Sequence, residues 1–291
     1  MSNLMQFDID AKKLNRMLLF YMFLESIVML IIEPIFIAMK VGEDIILFLS
    51  PLITTSFVTY YIIMKYQKKF ELTIPFKISD DFNFLQYLKF IVMALGAAWL
   101  TSLVMGYIID LLSGVVIFET PDFSTSNSLI SNICLIIYAV IVAPVSEELI
   151  FRGLILGKLK KYGYVFTTII VSLLFALMHG NLPQSIPTFI VSLFLCWVTL
   201  QSNSIIPAIS IHMINNAVAQ LEDINNEVFQ IIINIFIIAI IIIAVILIVR
   251  EFKNRSKFRL QYRVKDYFKN AGGIIILILS VLMIIGSIKI I

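Results

Sequence analysis

Nine stretches of this chain are dominated by apolar residues, near positions 17–38, 45–64, 86–112, 129–150, 164–180, 185–200, 205–220, 229–249 and 273–290. An α-helix needs roughly 17–25 such residues to cross a hydrocarbon core, and the runs between 164 and 220 are the short ones. Lipid offers no partner to an unpaired backbone N–H or C=O, so runs like these fold as helices. The expectation is an all-α fold, a polytopic transmembrane helix bundle of about eight or nine spanning helices. With 60% of its 291 residues hydrophobic and 14% charged, the chain lacks the polar surface of a soluble domain. Three parts are distinguished: helices and loops over 1–128, a motif-bearing core over 129–220, and helices around a basic loop over 221–291.

The few charges fall between the runs in an ordered way. Lys12, Lys13 and Arg16 precede the first; Lys65, Lys68, Lys69 and Lys77 follow the second; Arg152, Lys158, Lys160 and Lys161 follow the fourth; Arg250 through Lys269 follow the eighth. The alternate connections carry Glu119 and Asp122, or Glu222, Asp223 and Glu227. Cytoplasmic loops are enriched in Lys and Arg, so the expected placement is a multi-pass protein of the cell membrane with a cytoplasmic amino terminus. If the ninth run spans, the carboxyl terminus lies outside. No small-residue cleavage site follows the first run, which reads as a retained helix. Helices flank the aromatic and basic loop after 250, which favours attraction to anionic lipid over nucleic acid; no nucleic-acid partner is expected. The segment Asp80 to Lys89 is expected to lie along the surface. Cys134 and Cys196 sit in apolar runs without metal-ligand spacing and read as small packing residues.

Polar residues inside the core are the candidates for chemistry, because an ionisable group at membrane depth costs about 3 kcal/mol or more and marks a functional site by default. They are Glu147, Glu148 and Arg152 in EELIFRG, His179 in FALMH, with Phe175 one turn before it, and His212 and Asn216 in HMINN. His179 and His212 are the chain's two histidines. Pro144 is expected to interrupt or kink the helix over 129–161, with Ser146 capping its second half. Counted from a turn between Lys161 and Tyr164, Glu147 and His179 lie about 14 and 15 residues away, or roughly 21 and 22 Å. They share a depth on antiparallel neighbours. His212, counted from a turn near 201–204, lies only roughly 12 Å in, which leaves a gap to the other two.

Adjacent helical residues point about 100° apart, so Glu147 and Glu148 are expected to differ in role. Arg152 is four residues after Glu148, the spacing of an ion pair, which leaves Glu147 as the freer carboxylate. A carboxylate beside an imidazole can take a proton from water, and an imidazole with a carboxamide can donate to an oxyanion. Phe175 reads as a packing residue. Glu25 and Glu33 in the first run are further membrane carboxylates with no assigned role.

Read in order, Glu-Glu-x-x-x-Arg, Phe-x-x-x-His and His-x-x-x-Asn resemble the motifs of the CAAX-protease and bacteriocin-processing family of intramembrane peptidases, also called the Abi or type II CAAX prenyl endopeptidase-like family. Every motif residue is present, within about 144–216. The resemblance implies a glutamic peptidase without cofactor or metal whose site opens towards the cytoplasm. Glu147 with His179 would activate water, His212 with Asn216 would form the oxyanion site, and Glu148 and Arg152 would organise the base. Eukaryotic members cleave the last three residues from prenylated proteins; bacterial members are linked to bacteriocin immunity and peptide maturation, which suits this Ile- and Asn-rich chain better. The implied partners are a membrane-associated peptide or protein substrate and the lipid bilayer. Two alternatives stand beside it: a metal-dependent membrane peptidase using the histidines and a carboxylate, although no HExxH spacing is present, and a non-catalytic scaffold or immunity protein.

Overall fold

A computed structural model describes residues 3–222, 224, 226–253 and 262–291, with the side chain of Asn3 excepted. Asp223 and residues 254–261 of the basic loop lie outside the described residues. The chain is a helical bundle: α1 (Asn3–Ala38), α2 (Glu43–Phe70), α3 (Phe84–Leu112), α4 (Leu129–Tyr162), α5 (Tyr164–Leu177), α6 (Leu182–Ser202), α7 (Ile206–Glu222), α8 (Glu227–Lys253), the short α9 (Val264–Phe268) and α10 (Ala271–Gly286). Two short strands, β1 (Val116–Phe118) and β2 (Ile288–Ile290), pair antiparallel.

Among the described residues, α1, α2, α3, α4, α6 and α8 are long and apolar enough to cross a membrane, and α5 and α10 are shorter apolar helices. The protein is therefore an all-α, multi-pass membrane protein. Helix α8 shows why: Ile231, Ile235, Ile238 and Ile242 are exposed, an arrangement stable against lipid and not against water.

Local chemistry sets the helix boundaries. Asn83 opens α3 with a full capping box, accepting from the Gln86 amide while Gln86 accepts from the Asn83 amide. Helix α3 therefore takes in Phe84–Lys89, the latter part of the segment Asp80–Lys89, where Phe84 and Leu85 are exposed. Asn181 caps α6 by accepting from the Gln184 amide, with Pro183 in the first turn. Gly163, at φ 103°, makes the turn between α4 and α5, and Asn203, at φ 48°, the turn between α6 and α7. Helix α1 begins well before the first apolar run because Phe7, Leu14, Met17 and Leu18 are buried in the bundle.

Contacts between connections define two ends. At one, buried Asp10 accepts from Tyr162 Oη at 2.7 Å and pairs with Lys161 at 2.7 Å, Lys158 donates to the Phe70 carbonyl, and the 72–81 connection covers the α6–α7 turn through Ser79 N to Ser202 O and Ile205 N to Pro75 O. This end holds the basic clusters. At the other, Ser131 Oγ donates to the Asp44 carbonyl at 2.7 Å, β1 pairs with β2, and Glu119 pairs with Lys289. Between the ends the helices pack closely; Gly96 of α3 lies so near α8 that a Cβ there would sit 2.3 Å from Ala244 Cβ.

Candidate active site

Helix α4 passes through Pro144 without breaking, and Ser146 caps nothing. The strain is taken up by wider turns at Ile137–Val142 and Leu149–Leu156. In the first, the Ala143 amide donates to Tyr138 O, five residues back. The next amide in that register belongs to position 144 and would serve Ala139 O, but proline has no N–H. Asn216 Nδ2 of α7 supplies the missing donor at 2.9 Å, and Asn215 Nδ2 donates to Asn216 Oδ1 at 3.2 Å. Asn216 thus ties α7 to the wide turn of α4, using one of its two N–H groups.

Glu148 points into the protein with no exposed side-chain surface, and its Oε1 accepts from Arg152 Nη1 at 2.9 Å and from His212 Nδ1 at 3.0 Å. Arg152, equally buried, donates through Nη2 to Ser192 Oγ at 2.7 Å and stacks over the Phe175 ring at 4.6 Å. The ion pair expected from the four-residue spacing is present, and Ser192 of α6 extends it. Phe175 is the hub of the site: its ring meets Phe151, His179 and His212 edge to face, with centroids 4.9, 5.1 and 5.8 Å away. That packing holds both imidazoles.

Glu147 points the other way, about a quarter exposed, into a cavity of about 480 Å³. His212 Nε2 is 3.7 Å from Glu147 Oε2. His212 is therefore the histidine in contact with both glutamates. The depth gap counted along the sequence disappears because the α6–α7 turn does not lie at the rim: Ser202, Ser204 and Ile205 are wholly buried beneath the 72–81 connection. His179 stands beside Glu147 on the same cavity wall, as equal depth predicted. Its Nδ1 lies 2.9 Å from Phe175 O; a carbonyl only accepts, so the proton sits on Nδ1 and a neutral ring leaves its Nε2 lone pair free.

A second, smaller cavity of about 140 Å³ adjoins Glu147, His179 and Phe175, and Glu25 and Tyr21 of α1 form its far wall. Glu25 accepts from Tyr21 Oη at 2.7 Å and from Thr55 Oγ1 at 3.3 Å. The sequence left Glu25 without a role; the signal was there in a membrane carboxylate with a tyrosine one turn before it. Among the described residues no group of three or more His, Cys, Asp or Glu side chains is placed to hold a metal ion. Cys134 and Cys196 are free, and Cys196 is buried.

Taken together, Glu147, Phe175, His179, His212 and Asn216 line one cavity, with Glu148 and Arg152 packed behind them. A carboxylate, two imidazoles and a carboxamide around a space that admits solvent can hold a water, take its proton and donate to an oxygen that gains charge. Residues 129–218 match the family described as type II CAAX prenyl endopeptidase Rce1-like, a stretch that contains all three motifs. No curated protein and no solved structure match the chain.

Proposed function

We propose, from the match of residues 129–218 to the type II CAAX prenyl endopeptidase Rce1-like family, that this chain is an intramembrane glutamic endopeptidase that cleaves a membrane-associated peptide or protein. The observation that carries the reading is the division of labour within the Glu pair. Glu148 is fixed by Arg152 and His212, while Glu147 faces the cavity beside His179 and within 3.7 Å of His212 Nε2.

In the proposed reaction Glu147 takes a proton from a water held with His179 Nε2, and the water oxygen attacks the scissile carbonyl carbon. The carbonyl oxygen, now an anion, accepts from His212 Nε2–H in its protonated form and from the second Asn216 N–H. Collapse of the intermediate breaks the C–N bond as Glu147 returns the proton to the leaving nitrogen. Glu148 and Arg152 act on His212, holding its ring with Nδ1 inward and Nε2 towards the cavity. The biological setting proposed is bacterial peptide processing or bacteriocin self-immunity at the cell membrane, with a cytoplasmic amino terminus.

In detergent-solubilised protein that folds normally, Glu147→Ala abolishes cleavage of a membrane peptide, and strong chelators leave the unsubstituted protein's rate unchanged. Retained cleavage in the variant removes Glu147 from the reaction. Loss of activity on chelation that zinc restores replaces the glutamic mechanism with a metal-assisted one.

A further inference from the structure

We propose that the site is entered from the extracytoplasmic face and acts on peptide segments presented there. The substrate rests on the peptidase reading above; the direction of entry rests on packing and charge alone.

The bundle is asymmetric about Glu147. Towards the end that carries the 113–128 connection, the 480 Å³ cavity extends past Ala143 and Tyr138 of α4, Gln184 of α6 and Gln220 of α7 to Pro121 and Phe123 of that connection. Towards the other end the space between α4 and α5 is filled, and the groove of about 310 Å³ that α5 and α6 form there, beside Thr168, Leu193 and Trp197, does not include Glu147, His179 or His212. Ile150, Leu154 and Ile155 of α4 and Ile170 and Leu174 of α5 have no exposed surface, and buried Arg152 lies among them. A cleft of about 70 Å³ enters from that side beside Lys160 and Asn203 and reaches Arg152, but Glu147, His179 and His212 are not on its walls. The open path from the site therefore leads away from the packed end.

Charge says which end is which. Lys158, Lys161, Asp10 and the end of α2 meet at the packed end. Between Lys89 and Arg152 the sequence has no Lys or Arg, and the 113–128 connection carries Glu119 and Asp122. At the open end, Lys40 and Lys289 are the basic residues among those described. Basic connections stay in the cytoplasm, so the packed end is cytoplasmic and the cavity opens outside. This is the opposite of the cytoplasmic opening that the resemblance implied. Amide and hydroxyl side chains of Gln184, Thr188, Asn215 and Gln220 line the path and offer donors and acceptors to an extended peptide backbone.

The test reads accessibility, so it is independent of whether the protein is a peptidase. In a Cys134→Ala/Cys196→Ala background, single cysteines are placed in the cavity (Ala143→Cys, with Thr188→Cys as a second site), in the 113–128 connection (Ser124→Cys) and in the 72–81 connection (Asp81→Cys). A membrane-impermeant maleimide is then applied to intact and to permeabilised cells. Ala143→Cys or Thr188→Cys is expected to label in intact cells to the same extent as Ser124→Cys, and Asp81→Cys only after permeabilisation. Cavity cysteines that label only after permeabilisation overturn the proposal. So do cavity cysteines that stay unlabelled on both sides while Ser124→Cys reacts, since the cavity is then sealed.

Discussion

Glu148 and Arg152 are two full charges with no exposed side-chain surface, and what they do follows from that burial. Removing one partner of a buried ion pair leaves the other uncompensated and costs about 3–5 kcal/mol. Arg152→Met is therefore expected to lower stability by about that much, measured by denaturation in detergent, whereas Glu148→Gln/Arg152→Met recovers part of the loss because neither member of the pair is left charged and unpartnered. An Arg152→Met protein as stable as the parent overturns the claim that the pair is desolvated. The pairing was legible in the four-residue spacing, since helix geometry is local. Its anchors, Ser192 of α6 and the Phe175 face, were not, because they come from other helices. The same holds for Asn216. Its spacing from His212 placed it on the right face, but its hold on Ala139 O depends on a register shift that Pro144 imposes on another helix.

Between elements, α3 and α8 meet at a glycine. At Gly96 a Cβ would meet Ala244 Cβ at 2.3 Å and the Ile240 carbonyl at 2.9 Å, contacts that nothing flexible can relieve. Small residues let membrane helices approach in this way where lipid provides no hydrophobic drive between them. Gly96→Leu is expected to push α8 from α3 and to destabilise by about 1–3 kcal/mol or more, read as a lower unfolding midpoint in detergent; an unchanged midpoint argues against this crossing. Helix α4 teaches a different lesson. Pro144 signalled an interruption, and the chain instead absorbs it in wide turns on either side of Ala143–Glu148, keeping its backbone paired as lipid demands. The turn at Asn203 corrects the depth of His212 for a tertiary reason, burial beneath a connection some 120 residues earlier in the chain.

At the scale of the molecule, the interior next to Glu147 is filled between α4 and α5 on one side and hollow on the other, which predicts unequal responses to the same kind of truncation. Leu174→Ala, in the filled half with no exposed surface, is expected to cost about 2–5 kcal/mol by opening a void. Met178→Ala, whose side chain lines both cavities, is expected to cost less than about 1 kcal/mol, since the space it leaves joins an existing one. Equal losses, measured by denaturation of the two variants side by side, count against the asymmetry on which the direction of entry depends. By itself the sequence determined the class of fold, the alternation of basic and acidic ends, the ion-pair spacing and the three motifs of the core. All of these are written in local composition and period. Tertiary structure alone decided that His212 touches both glutamates, that Glu25 of the first helix faces the site, and which side of Glu147 is hollow. Those depend on how each helix is rotated, tilted and buried against its neighbours, and that is settled by contacts between residues far apart in the chain.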